Sequence, residues 1–444
     1  KMLFFLLLSC LVWASECTDS DTGRKVPKAH TDLMVYVGPG GCDVSDNDCT
    51  PPTSLDSISI FRMERDNANA KITQHTHVMD LFVNGTANWL SIRTGDTGNP
   101  DCLFATLGGK NELLSFAIDH SGIPQLVSRV YSGGLAPVYV EPSTRRYDSD
   151  IGSVALVANY HGPDDANTTG ASVSTFTVNS ECSASLADSI PHTGHSVNPY
   201  RQKTAHVHSF LPSGVSLRDS SGYFMYGFAC DLGTDLIFTY RIDLAKGTMK
   251  EVSRTPVAPG WGPRHSYYDS GAKVLFTVME MGNMLAWFGV APDGSLKQLG
   301  SVPTLQPAAS THSSLSSSPA ASRSDASSFT SKAGEIMGVG GFLFVTNRGY
   351  SAGSNSVVCY KLVSGVPQLI SATQIEGRWP RGLNFSPLDA AQKATWFVAG
   401  QGSGNLAVYT SDFHQGAAAE AVFSYAGVNI TELPTPVTIA TIQL

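Results

Sequence analysis

The stretch CLFATLGGKNELLSFAI, Cys102 to Ile118, consists of two apolar runs joined by a Gly/Asn turn. Such runs read as a β-hairpin, because Gly and Asn accept the left-handed backbone that tight reversals need. The unit recurs. Further copies begin near residue 33 (LMVYVGPGG…DSISIFRM), residue 154 (VALVANYHGP…SVSTFTV) and residue 224 (YFMYGFACDLGTDLIFTYRI). Three more begin near residue 274 (VLFTVMEMGNMLAWFGV), residue 342 (FLFVTNRGYSAGSNSVVCYKL) and residue 395 (TWFVAGQGSGNLAVYTS). These seven hairpins, read by period-2 alternation and turn chemistry, are spaced alternately by about 70 and about 50 residues. That leaves room for two more strands in each unit, and helical periodicity is nearly absent. The reading is an all-β, seven-bladed β-propeller. A β-sandwich, or a pair of them, is the competitor, and recurrence along the whole chain favours the ring. Closure predicts that ELPTPVTIATI, Glu432 to Ile442, pairs with the N-terminal blade, since an open ring would expose strand edges. The Ser-rich stretch from Ala308 to Gly334 reads as a loop between the fifth and sixth blades. Residues 17–444 are thus expected to form one propeller domain.

The 444-residue chain carries 42 glycines and 24 prolines, with 42% hydrophobic and 15% charged residues, which suits a turn-rich β protein. Its net charge of −8 argues against nucleic acid or an anionic membrane surface as partner. Any clustered cations are therefore local features, aimed at a small anionic substrate. The N-terminal KMLFFLLLSCLVWAS has the basic start, short apolar run and small residues of a signal peptide, assigned to residues 1–16. No later apolar stretch is long enough to span a bilayer. Three sequons, at Asn84, Asn167 and Asn429, fit a secreted, extracellular glycoprotein. Cys42 and Cys49 flank a polar loop and are the candidate local disulfide. With Cys10 removed, seven cysteines remain, so at least one stays unpaired within the chain. Nothing in the sequence reads on oligomeric state.

In a propeller the inner strands line a central channel, so residues at one end of those strands converge. GWGPRH supplies Arg264 and His265, and Glu280 follows just before a Gly-Asn turn. One blade earlier, TAHVHSF offers His206 and His208, two apart and so on one strand face, and Asp231 is read into the slot matching Glu280. One blade later Arg348 takes that slot, and RWPRGLNFSP in the seventh blade carries Arg381. The His-x-His pair has metal-ligand character, but no third ligand is evident from spacing, and no metal or cofactor is expected. Glu280 stands among methionines that would desolvate it and raise its pKa, with arginines pulling the other way. The sequence leaves that contest open, as it does a structural Arg264–Glu280 ion pair.

The same segments, together with NPDCLFATLGGKNELLSFAID, LVANYHGP and ELPTPVTI, resemble the lactonase-type seven-bladed propellers over nearly the whole mature chain. That family includes 6-phosphogluconolactonases and carboxymuconate cyclases, and VMEMGNML is especially similar to the muconate-cyclising branch. The resemblance implies a catalytic set of His208 (His206 in the phosphogluconolactonase-like pattern), Arg264, Glu280 and Arg348. Substrate contacts are expected from His206, Asp231, His265 and Arg381. It implies metal-independent lactone hydrolysis or lactonizing cycloisomerisation of a small carboxylated lactone or its open-chain form. In that chemistry His208 or Glu280 exchanges protons and arginine binds the anion. A secretory route weighs against a phosphorylated cytosolic lactone. The alternative is a non-catalytic extracellular propeller that serves as a binding or structural module.

Overall fold

The computed structural model describes residues 17–18, 25–26, 30–40, 56–95, 100–143, 153–160, 170–305, 331–349, 354–389, 392–413 and 423–444. The expected signal peptide (1–16), the Cys42/Cys49 pair, Asn167 and most of the Ser-rich stretch lie outside the described residues.

Seven antiparallel sheets follow one another along the chain as blades 1–7. Their inner strands are Pro436–Gln443, Ala87–Arg93, Pro137–Pro142, Val207–Pro212, Pro263–Asp269, Ser331–Val339 and Pro380–Phe385, in blade order. Six blades have four strands, and blade 4 adds a short edge strand, Leu217–Asp219. The C-terminal strand Pro436–Gln443 pairs with His30–Pro39, so the last segment closes the first blade as expected. A separate two-stranded ribbon joins Cys17–Thr18 to Lys25–Val26. Among the described residues no helix is long and apolar enough to cross a membrane.

Each repeated hairpin is the middle strand pair of a blade. These strands are covered on both faces by neighbouring blades: Phe104 and Leu113 of blade 2 share a core with Val157 and Phe176 of blade 3. Ser153–Asn159 is buried at every position, so its apolar run is continuous and not alternating. Alternation belongs to the outer strands, as in Met249–Pro256, where every second side chain is exposed. The Ser-rich stretch ends earlier than the sequence reading placed it, because Ser331 already opens the inner strand of blade 6. A disulfide joins Cys102 of blade 2 to Cys182 of blade 3, 80 positions apart, while Cys230 and Cys359 are buried free thiols.

One local device recurs in all seven inner strands. Near its start each strand carries one residue more than its neighbour, a β-bulge that redirects side chains. The extra residue is Val437 in blade 1, Asn88 in blade 2, Val138 in blade 3, His208 in blade 4 and Arg381 in blade 7. In blade 5 Arg264 and His265 together oppose Val278, and in blade 6 Gly334 and Glu335 together oppose Thr346.

Candidate active site

The bulges of blades 4–6 and the exits of the second strands of blades 5 and 6 bring the candidate residues together. Pro263 pairs with Met279 and Ala333 with Asn347, so the following residues, Glu280 and Arg348, occupy equivalent slots. Both are buried, and Arg348 Nη2 donates to Glu280 Oε2 at 2.7 Å. Arg264 Nε donates to the same oxygen at 3.0 Å, and its Nη1 donates to the Gly334 carbonyl at 2.8 Å. A third guanidinium, unforeseen from the sequence, comes from Arg201 in the segment linking blades 3 and 4. Its Nη2 donates to Glu280 Oε1 at 2.9 Å and to Tyr160 Oη at 3.2 Å. Arg348 also lies over the Trp379 ring, 5.6 Å from its centroid.

A second chain of bonds runs beside this clamp. His208 Nδ1 lies 3.0 Å from His265 Nε2, and His265 Nδ1 lies 2.7 and 2.9 Å from the two carboxyl oxygens of Glu335. Arg264 Nη1 lies 3.3 Å from His265 Nδ1 and can donate to it only while that nitrogen is unprotonated, which couples the two networks to the Glu335 proton. Trp89 and Tyr139 wall His265, with ring centroids 4.9 and 5.3 Å away. Tyr160 stacks on His206 at 4.6 Å and meets His208 edge-on at 5.5 Å, so both histidines lie against one ring.

Burial and charge set the protonation states. Burial by itself would raise the Glu280 carboxyl, but Arg348, Arg201, Lys332 and Arg264 overturn it and hold the group well below the usual carboxylate range. The contest between methionine and arginine is thus decided for the arginines, and Glu280 is a permanent anion. Glu335 goes the other way: burial pushes it up to about 8 against the pull of Arg264, Arg348 and Arg381. Burial, followed by the charge of Arg264, keeps His208 and His265 well below 6.5, so both imidazoles are neutral at neutral pH. Arg381, half-buried in the blade 7 bulge, contributes to the field on both histidines and on Arg264.

Asp231 is placed differently from the sequence reading. It pairs with Val207, so its register equivalents are Met279 and Asn347, one residue before the Glu280 slot, and a one-residue step reverses the side-chain face. Its Oδ1 accepts the backbone N–H groups of His206, Gly233 and Thr234 at 2.8–3.2 Å. Its Oδ2 lies 2.9 Å from His192 Nδ1, just beyond the outer strand of blade 3. Asn347 makes the analogous reach to the Thr304 carbonyl after blade 5. Both residues tie one blade to the end of the preceding one.

Comparison with known proteins agrees with this fold. The family model described as Lactonase, 7-bladed beta-propeller, matches residues 49–431. The chain belongs to that family. It is 26% identical over 313 residues to the 6-phosphogluconolactonase of Bacillus subtilis, covering 69% of this chain and 76% of that one. It is 24% identical over 310 residues to that of Formosa agariphila, covering 69% and 75%. Among solved structures, a putative 6-phosphogluconolactonase from Bacteroides fragilis superposes with TM-score 0.65 at 19% identity, over 93% of this chain and 98% of that one. The periplasmic gluconolactonase of Pseudomonas aeruginosa gives TM-score 0.63 at 21% identity, over 93% and 99%. These structural likenesses establish the shared fold.

Proposed function

We propose that this lactonase-family propeller hydrolyses a small anionic lactone, of the kind its 6-phosphogluconolactonase relatives are named for. The observation that carries the reading is the clamp of Arg264 and Arg348 on Glu280 beside a buried, neutral His208. Two fixed guanidiniums serve the substrate's anionic group and the charge that develops on the carbonyl oxygen as water attacks. His208, neutral and hydrogen-bonded through Nδ1 among the described residues, can take the attacking water's proton on Nε2 when its tautomer leaves that nitrogen unprotonated. Glu280, held ionised by its cations, orients the two arginines and does not exchange protons, which departs from its expected acid/base role. Both curated relatives carry a hydrolase's name, so the reading is ring opening, and cyclisation is set aside.

The test is a stopped assay with hydroxylamine trapping of residual lactone, run against 6-phosphogluconolactone, unphosphorylated gluconolactone, a carboxylated γ-lactone and a muconate diacid. Opening of an anionic lactone well above the spontaneous rate is expected, with the diacid left unchanged. Tight anion binding with no turnover of any lactone would make the protein a binding module.

We also propose a secretory route, which the Cys102–Cys182 bridge supports because such bonds persist in oxidising compartments. Asn84 is exposed at a bend and Asn429 is exposed on the outer strand of blade 7. Mass spectrometry of protein from its natural source should find an N-terminus near residue 17 and glycan at Asn84. Retention of residues 1–16 would overturn the route.

A further inference from the structure

We propose that Glu335 is a positioning residue that completes a carboxyl–imidazole–imidazole proton relay, Glu335–His265–His208, running around the channel wall from blade 6 to blade 4. The inference rests on the lactone-hydrolase reading. It adds Glu335 to the site and gives His265 a relay role in place of the expected substrate contact, and neither belongs to the His/Arg/Glu/Arg set.

Three observations carry it. The contacts are continuous: 2.7 Å from Glu335 to His265 and 3.0 Å from His265 to His208, with all three side chains buried. Each member is a bulge residue of its blade, so one backbone device repeated in three successive blades aims them at one another. Glu335 is itself fixed, because its backbone N–H donates to Thr346 Oγ1 at 2.7 Å and its Oε1 accepts the Ile336 N–H at 3.1 Å. A carboxyl placed only to neutralise charge would be expected on a guanidinium. This one lies on an imidazole, while Glu280 holds the arginines. Both rings are thereby held in one tautomer series, since the hydrogen bond at one ring nitrogen fixes the role of the other.

With Glu335 ionised, His265 donates from Nδ1 to it, His208 donates from Nδ1 to His265 Nε2, and His208 Nε2 carries the lone pair. Water oxygen bonds to the lactone carbonyl carbon and its proton passes to His208 Nε2. The Nδ1 protons of His208 and His265 move one place along, leaving Glu335 protonated. When the ring C–O bond breaks, the leaving oxygen takes a proton from His208 Nε2 as the relay reverses. The product is the open hydroxy acid, and no redox partner is required.

The relay works as a base only with Glu335 ionised, so the rate should rise with pH through the region near 8 to which burial pushes that carboxyl. The groups facing Glu335 are Arg264 and His265 from blade 5, Arg348 from the next strand of blade 6 and Arg381 from blade 7. Tyr139 and Glu141 from blade 3 feel its charge.

The experiment compares wild type, Glu335→Gln and Glu335→Asp on the best lactone of the panel, from pH 6 to 10. Turnover by wild type tests the hydrolase reading, and the variants test the relay. Glu335→Gln should lose on the order of 10²-fold in kcat at little change in KM and should lose the rising limb near pH 8. Glu335→Asp should recover part of the rate with the limb displaced. An unchanged kcat and pH profile in folded Glu335→Gln would overturn the relay while leaving the hydrolase reading intact. Should that variant not fold, the ring ¹⁵N shifts of His265 in wild type decide: movement with a midpoint near pH 8 supports the relay, and invariance from pH 6 to 10 refutes it.

Discussion

The two sides of the channel are built alike and used differently. At the inner-strand bulge, blades 1, 2 and 3 place Val437, Asn88 and Val138, whereas blades 4 to 7 place His208, Arg264 with His265, Glu335, and Arg381. The backbone irregularity is a property of the fold, present in every blade. Chemistry enters only through the side chain set upon it, and all the ionisable ones fall on one contiguous side. The other side supplies a wall: Trp89 and Tyr139, one position past their bulges, pack their rings against His265. That wall excludes water and helps keep the imidazole neutral.

If this division is right, damage should be lopsided. The largest effect is expected from Glu280→Gln, which leaves Arg264, Arg348 and Arg201 without their shared counter-charge. Removing one partner of a buried pair costs about 3–5 kcal/mol, so the urea midpoint should fall and turnover should be lost with it. The sign with pH follows from the depressed carboxyl. Its contribution is present above the unfolded value of 4.5 and is lost as pH falls below that, so the gap between variant and wild type should narrow in acid. A gap that is constant from pH 3 to 7 would contradict the clamp.

Arg264→Lys should be milder in stability and severe in rate, on the order of 10²-fold in kcat/KM. A single ammonium cannot reach Glu280 through one nitrogen and the Gly334 carbonyl through another. Wild-type kinetics in that variant would show that its charge suffices without the fork.

Asp231→Asn separates tether from site. It should cost about 1–3 kcal/mol, since the substituted amide cannot match all four partners of the buried carboxylate, while KM stays at the wild-type value. A raised KM with unchanged stability would return Asp231 to the binding site. The smallest effect is expected on the quiet side of the ring. Asn88→Ala removes one bond to the Pro137 carbonyl and should cost about 1 kcal/mol with no change in turnover.

The sequence exposed those parts of the molecule that repeat with an apolar signature. The seven middle hairpins are largely buried between neighbouring blades, so their hydrophobic runs stand out, and the closing strand is visible for the same reason. Arg264, Glu280 and Arg348 were reachable because they border those runs. A bulge adds one residue and no composition, so neither the aim of His265 nor the slot of Asp231 could be counted out along the chain. Glu335 was hidden because the inner strand that bears it starts inside the tail of the Ser-rich stretch. Its nearest sequence cue is the return of apolar residues at Ile336 and Met337. Arg201 sits in a connection between blades, where no repeat aligns it. The Cys102–Cys182 bridge spans 80 positions, a separation that carries no spacing signal.

On the proposed reading, the bulge residues of blades 4 to 6 and the arginine clamp form a lactone-opening site with His208 at its reacting end. The decisive comparison is kcat/KM for the best anionic lactone of the panel in wild type and in folded His208→Gln, corrected for spontaneous opening. Enzymatic opening by wild type is expected, with a loss on the order of 10²-fold or more in the variant. A folded His208→Gln protein as active as wild type would contradict it.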